Sequence, residues 1–239
     1  MRSDTPGPTS RYLSLPEEFI VLSHLDSGKV HDTTQTAFGC AAAELAELAL
    51  RRKVLVRPHK SRKFGVEVYR HKGEIELLDR GRTGLAWADE LLADLADMTG
   101  LETHAVYRWL RRRHRKALPL HRQTLTERGV LHHRPGKLLG KERYYPDPGV
   151  RNALINEVRT AYTSQSPLTG HLLLLCDLLD GAELTKDLGL TLTHRQRLDR
   201  ARGIGAVEPL PEVLRDTSTV LGFSIPKRDG GGFGFGDGD

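Results

Sequence analysis

Apolar residues recur along most of this chain at the three- and four-residue spacing that is typical of amphipathic helices. The clearest case begins at Ser14, which can cap a helix, with Pro16 in the first turn and with Glu17 and Glu18 at the positive end of the helix dipole. By the same criteria, further helices are predicted over residues 32–52, 85–98, 102–116, 121–128, 150–163, 168–179, 194–201 and 211–221.

Strand-like alternation is confined to a few short segments, which are residues 54–57, 66–71 and 75–78. His71–Gly73 is the expected turn between two of them, and residues 130–145 are predicted to form a second hairpin. Pro119 is expected to break or kink the helix before it, because proline lacks the backbone N–H and clashes with the preceding turn. Together these patterns predict a mainly α fold, a single-domain helical bundle with short β-hairpins.

The length and composition fit one domain with flexible ends. Of the 239 residues, 12–222 are predicted to form the domain, 1–11 a flexible lead and 223–239 a disordered glycine-rich tail. The two cysteines, Cys40 and Cys176, lie far apart, which favours reduced and buried thiols. No apolar run approaches the roughly 18–20 residues of a membrane-spanning helix, and the N-terminus lacks the apolar core of a signal peptide. Any membrane contact must therefore be peripheral, and the expected location is the cytoplasm or its membrane face.

Charge is the feature that changes this picture most. Two stretches, Arg51–Lys63 and Arg108–Arg122, each hold seven Lys or Arg residues and no acidic residue. Together they carry a charge of +14 in a chain whose net charge is +5, so the rest of the chain carries −9. Concentrated cations on an acidic body are typical of surfaces that bind phosphate groups, on nucleic acids or on lipid headgroups.

The second stretch is the stronger candidate for a binding site. In a helix, Arg108, Arg111, Arg112 and Arg115 share one face, Val106, Trp109 and Leu110 pack inward, and residues 103–126 contain no acid. An anionic partner would relieve the repulsion between these cations; the alternative is a solvated face whose arginine stems cover apolar surface. The residues predicted to bind the anionic group are Arg111, Arg112, Arg115 and Lys116. The first stretch is a helix end and a loop, and its auxiliary basic patch comprises Arg52, Arg57, Lys60, Arg62 and Lys63.

Sequence motifs of enzymes are absent: there is no GxSxG elbow, no HExxH, no P-loop and no paired CxxC. The adjacent His132 and His133 would point to opposite faces of a strand and make a poor chelate. We therefore expect no catalytic residue, no cofactor and no metal. The order helix, turn, helix and hairpin is also that of a winged helix, so nucleic-acid binding is the alternative function. Against it, the basic residues lie on the first of the two helices, whereas a recognition helix is the second.

Four segments of the chain resemble the Golgi phosphoprotein 3 family, which has many actinobacterial members. They are LSLPEEFIVLSHLDSGKV (13–30), AELAELALRRKVLV (43–56), LTERGVLHH (125–133) and YYPDPGVRNALINEVRTAY (144–162). Their order and spacing match the family over nearly the whole chain. The resemblance implies a mostly helical domain with one protruding hairpin, and a peripheral adaptor that binds anionic lipid headgroups.

The resemblance also implies where a headgroup would bind. Eukaryotic relatives hold phosphatidylinositol 4-phosphate with a Trp and an Arg early in the second helix and with two Arg residues before the hairpin. The Trp falls at about Asp32 and the first Arg at about Ala41, so neither is kept; of the last two, Arg115 is kept and Leu118 replaces the other. The neighbouring cations that can substitute are Arg111, Arg112 and Lys116. General attraction to anionic lipid is therefore expected, without selectivity for one phosphoinositide.

The second hairpin adds a further prediction. Leu138 and Leu139, between Lys137 and Lys141, are predicted to form a membrane-docking tip with cationic flanks; the alternative is that both leucines pack onto the helices. In the family, the hairpin also serves self-association, and the eukaryotic relatives recruit glycosyltransferases. The expected partners are an anionic lipid headgroup, a protein client and a second copy of the chain through the hairpin. Nucleic acid is a partner only under the alternative.

Overall fold

Seven helices and two antiparallel sheets make up the part of the chain that this computed structural model describes, so the fold is mainly α, as predicted. The structure describes residues 13–30, 32–63, 66–98, 104–136, 142–163, 169–190 and 212–227. The helices are α1 (Leu15–Ser23), α2 (Thr33–Leu50), α3 (Ala86–Asp97), α4 (Val106–Glu127), α5 (Pro148–Thr163), α6 (Gly170–Gly181) and α7 (Glu212–Phe223). The strands are β1 (Val54–Lys63), β2 (Val66–Leu77), β3 (His104–Ala105), β4 (Leu131–Arg134) and β5 (Arg143–Pro146).

The centre of the core is α2. Every residue from Gln35 to Ala49 is buried, and the helix packs against α1, α4, α6 and α7. Small side chains let these neighbours approach closely. At Gly39 the approach is so close that a Cβ atom would lie 2.1 Å from the ring of Phe19 in α1. The side chains that α2 presents to α4 therefore decide how the basic helix is held.

The first hairpin, β1 and β2, is longer than the short strands predicted. All ten residues of β1 pair with β2, with a shift in register between Pro58 and His59. The predicted turn at His71–Gly73 is wrong, because these residues lie inside β2, where Gly73 pairs with Pro58. Proline donates no N–H to the ladder, and a Cβ at Gly73 would lie 2.5 Å from a side-chain carbon of Val220. The Gly73 that was expected in a turn therefore lies opposite Pro58, next to the shift in register within the hairpin.

The fourth helix, α4, runs through Pro119 without ending, so the predicted break into two helices is wrong. Pro119 is exposed. The Arg115 carbonyl that loses its N–H donor therefore lies on the solvent side of the helix, where water can replace the bond. Because this segment is one helix of 22 residues, it does not form the helix, turn and helix on which the winged-helix alternative depended.

The second hairpin is confirmed, with β4 and β5 paired from Leu131 opposite Pro146 to Arg134 opposite Arg143. Its predicted tip, Lys137, Leu138, Leu139 and Lys141, lies outside the described residues, as do the predicted lead 1–11 and the predicted helix 194–201. After α7, Ile225 is buried. No helix in the described ranges is long and apolar enough to cross a membrane.

Candidate functional site

One side of α4 faces the core and the other faces solvent. The buried residues recur at helical spacing and are Val106, Trp109, Leu110, Ala117, Leu118, His121 and Leu125. This confirms the predicted inward packing of the apolar residues near the start of the helix. The basic residues of the same segment lie mostly on the opposite side.

Four cations on the exposed side form what we name the α4 stripe, and they are Arg111, Arg112, Arg115 and Lys116. All four are exposed. Arg111 lies over the ring of Tyr107, 5.8 Å from its centroid. Within the described part of the chain, no hydrogen bond or ion pair involves the side chains of the other three. The structure thus brings all four predicted headgroup-binding residues onto one surface.

Arg113, inside the same basic run, has the opposite environment. Its Nε and Nη2 each donate a hydrogen bond of 2.7 Å to the carboxylate of Glu44 in α2, and its side chain is only 13% exposed. Glu44 is fully buried and also lies 3.0 Å from Nε2 of the buried His121. Burial lowers the pKa of Arg113, but the hydrogen bonds and the charge of Glu44 outweigh it and raise that pKa above its usual value. Arg113 therefore fixes α4 to α2 and is not available to a ligand.

Glu44 is the structural residue that the sequence interpretation missed. It lies 69 residues before Arg113 and on a different helix, so no local pattern links the two. One signal was present: Glu44 and Glu47 are the only charged residues of the otherwise apolar and neutral α2. Because buried carboxylates are almost always paired, two acids in a buried helix indicate cations elsewhere in the chain that must reach them.

The auxiliary basic patch is not shown to form one surface. Arg52 is exposed just after α2, with a left-handed backbone (φ 56°). The side chains of Lys60, Arg62 and Lys63 lie outside the described ones. The ion pairs of this first stretch are Arg51 with Glu47 at 2.7 Å, Lys53 with Asp79, and Arg57 with Glu76 at 2.5 Å. Three of its four described cations therefore have acidic partners.

The positions that hold the headgroup in eukaryotic relatives do not form a pocket here. Ala41 is fully buried and Leu118 is 4% exposed, so both belong to the core. The carboxylate of Asp32 caps α2 by accepting a 2.8 Å hydrogen bond from the backbone N–H of Gln35. Of the four aligned positions, Arg115 is the one that offers a cation at the surface.

A cleft of about 490 Å³ opens between α1, α3 and the C-terminal half of α4, and no residue of the α4 stripe lines it. The cleft is lined by Trp87 and by two arginines, Arg51 and Arg128. Both arginines are already neutralised, Arg51 by Glu47 at 2.7 Å and Arg128 by Glu17 at 2.6 Å. The cleft is therefore a weaker anion site than the stripe. Within the described residues, no group of three or more His, Cys, Asp or Glu side chains could hold a metal ion.

Comparison with known proteins matches most of the chain to one family model. The model of the Golgi phosphoprotein 3 (GPP34) family matches residues 15–219. The matched range begins with α1 and includes both the α4 stripe and the second hairpin. The search of curated proteins returned no match.

Proposed function

This chain belongs to the Golgi phosphoprotein 3 family, and we propose that it is a non-enzymatic peripheral membrane adaptor that binds anionic lipid headgroups through the α4 stripe. The observation that carries the proposal is a contrast within one basic run. Arg113 is paired with a buried acid, whereas its four neighbours in the stripe are exposed, with no acidic partner among the described residues. Exposed cations that the fold does not neutralise are suited to an external anion.

The α4 stripe concentrates its charge on a short length of helix. At 1.5 Å of rise per residue, the four cations lie within about 8 Å along the axis. Each cation near an anionic bilayer contributes about 1 kcal/mol, so the stripe supplies about 4 kcal/mol of attraction.

The core holds the stripe in one position. Trp109 and Leu110 are buried directly behind it, and the two hydrogen bonds from Arg113 to Glu44 tie the helix to α2. A helix fixed in this way loses little conformational entropy when it binds a surface. The proposed site is therefore preorganised, although its long side chains still adjust to individual headgroups.

We expect attraction to anionic lipids in general. A selective pocket requires several groups that converge on one headgroup, and the aligned Ala41 and Leu118 are buried in the core. Vesicles that contain phosphatidylinositol 4-phosphate should therefore bind no more tightly than vesicles of equal charge made with phosphatidylglycerol. Tighter binding to the phosphoinositide at matched charge would contradict this part of the proposal.

Vesicle flotation tests the proposed site. The protein should float with phosphatidylcholine vesicles that contain phosphatidylglycerol, should not float with pure phosphatidylcholine, and should dissociate as salt is raised. The variant R111E/R112E/R115E should bind at least about a hundredfold more weakly, because three contributions of about 1 kcal/mol are lost and replaced by repulsion. Unchanged flotation of this variant would remove the stripe from consideration.

A matched control separates the stripe from net charge. The variant R80E/R82E/R159E makes the same change in net charge at exposed positions outside α4. It should float nearly as well as the unmodified protein, and thermal unfolding should show that both variants are folded. If the control loses as much affinity as the stripe variant, binding follows net charge and the stripe is not a site.

The same stripe would attract the phosphates of a nucleic acid, so duplex DNA is the second arm of the experiment. The break at Pro119, which gave the two helices of the predicted winged-helix order, is replaced here by a continuous α4. We expect no retardation of duplex DNA at physiological salt. A protein that retards DNA and ignores anionic vesicles would overturn the membrane proposal.

The proposal of an adaptor role is supported by family membership more than by the geometry of the site. The proposed location is the cytoplasmic surface of a membrane, reached through peripheral contact. A protein client and self-association through the second hairpin are parts of the same proposal.

A further inference from the structure

Arg122 continues the line of the α4 stripe but contacts the second hairpin. Residues 111, 115, 118 and 122 are spaced by four, three and four, so they lie along one line of α4, with Arg122 about 10 Å beyond Arg115 and the buried Leu118 between them. The guanidinium of Arg122 lies 4.7 Å from the ring centroid of Tyr144 in β5. Its Nε donates a hydrogen bond of 3.2 Å to Nε2 of His24, directly after α1.

Tyr144 connects this arginine to both strands of the hairpin. Its ring stacks with His133 of β4, with centroids 4.7 Å apart and an angle of 24° between the planes. Its hydroxyl donates to the Glu142 carboxylate at 3.1 Å, and its backbone N–H donates to the Gly28 carbonyl at 3.0 Å. The base of the hairpin is thus held by α4 and by the loop that follows α1.

His24 is suited to hold Arg122 because its imidazole is neutral. It is fully buried, and its Nδ1 donates to the Ile20 carbonyl at 2.7 Å, which leaves Nε2 as an acceptor for the arginine. Burial, together with the charges of Arg122 and Arg151, lowers the pKa of His24 to about 3. Because arginine stays charged in proteins, the contact with Tyr144 persists throughout the physiological pH range.

We infer that Arg122 is a positioning residue. Its contact with the ring of Tyr144 fixes the base of the second hairpin in line with the α4 stripe. An anionic bilayer is the partner that fits, because a broad charged surface can contact a helix and a hairpin base together. The inference rests on the proposed function, to which it adds residues that act without touching lipid.

Two substitutions of Tyr144 test the contact between its ring and Arg122. Y144L removes the ring, whereas Y144F keeps the ring and loses only the hydroxyl. Amide hydrogen exchange in Leu131–Arg134 reports whether the hairpin is held, and titration with phosphatidylglycerol vesicles reports binding. Y144L should exchange faster and bind about threefold to tenfold more weakly, because a cation–π contact is lost and the hairpin must be ordered on the membrane. Y144F should match the unmodified protein in both measurements.

R122K provides a second variant in case Y144L does not fold. Lysine keeps the charge but lacks the planar guanidinium that contacts the ring and His24, so faster exchange and weaker binding are again expected. In the R111E/R112E/R115E background, Y144L should cause little further loss, because the two parts act as one surface. Faster exchange with unchanged vesicle affinity, or no change in either measurement, would overturn the inference while the proposed function stands. If the unmodified protein itself ignores anionic vesicles, the proposed function fails first.

Discussion

The two basic stretches of this chain carry the same number of cations but have different surroundings. In Arg51–Lys63, three of the four described cations pair with acids on neighbouring elements. In Arg108–Arg122, the paired Arg113 lies among the four exposed cations of the α4 stripe. A count of charges therefore does not identify a binding surface. Acids that are distant in sequence and close in space decide which cations remain available to a ligand.

The largest expected effect comes from breaking the buried pair between Arg113 and Glu44. E44Q removes the charge that compensates a guanidinium held in the interior, so we expect the free energy of unfolding to fall by about 3 kcal/mol. Urea denaturation measures this loss. The matched control is E90Q, which removes a carboxylate that is exposed on α3. Equal stability of the two variants would show that Arg113 does not depend on its partner, and that paired and unpaired cations do not differ as we argue.

A second comparison removes two charges from each basic stretch. R112Q/R115Q takes two exposed cations from the α4 stripe, and K53Q/R57Q takes two that are paired with acids. The first variant should bind anionic vesicles roughly thirtyfold more weakly, because each cation near the surface contributes about 1 kcal/mol. The second should change affinity by less than about threefold, because the charge it removes is already balanced. Equal losses would mean that the membrane attraction is spread over both stretches.

The sequence predicts most of the helices correctly because their signals are local. Ser14 precedes α1, the Glu17 carboxylate accepts from the Ser14 N–H at 2.7 Å, and the apolar spacing sets the buried side. The errors at Pro119 and at Gly73 have a common cause. Proline and glycine usually mark a boundary, yet here exposure of the helix face and close packing against Val220 decide their positions. Neither of these tertiary features is written in a local pattern.

The candidate site also has one part that the sequence predicts and another that it does not. The α4 stripe is predictable because its four members lie within six consecutive residues and share a helix face. The pairing of Arg113 with Glu44 and of Arg122 with His24 spans 69 and 98 residues, so it depends on how the helices cross. Sequence therefore shows where cations are concentrated, and the fold shows which of them are already bound.

The pair formed by His171 and Glu18 provides a third test, in which the expected change in stability is smaller. His171 of α6 lies 2.6 Å from Glu18 of α1. Burial alone would lower the pKa of His171, but the hydrogen bond to Glu18 and the charge of Glu18 have the larger effect, so the pKa of His171 is raised. The pKa of Glu18 is raised as well, because Glu18 is buried. Since both pKa values are higher in the folded state, the stability that they contribute is lost as pH rises. For His171 it is fully present below about pH 6.5.

We therefore expect the free energy of unfolding to fall by about 1 kcal/mol as pH rises above 6.5, and to fall less in H171Q. His24 has the opposite sign: its pKa is lowered to about 3, so its contribution is lost as pH falls below 6.5. Urea titrations on both sides of this pH separate the two. A slope in H171Q identical to that of the unmodified protein at alkaline pH would contradict the assignment.

The smallest effect concerns Pro119, which lies on the exposed side of α4 between the stripe and Arg122. P119A restores an N–H donor for the Arg115 carbonyl and should stabilise the protein by about 1 kcal/mol, measured by urea denaturation. The gain is smaller than the full cost of a proline in a helix, because water already reaches the carbonyl and because alanine leaves the unfolded chain freer. No charge changes, so vesicle affinity should stay within about twofold. A larger loss of affinity would mean that the backbone of α4 around residue 119 shapes the docking surface, and that charge pairing alone does not explain the difference between the two basic stretches.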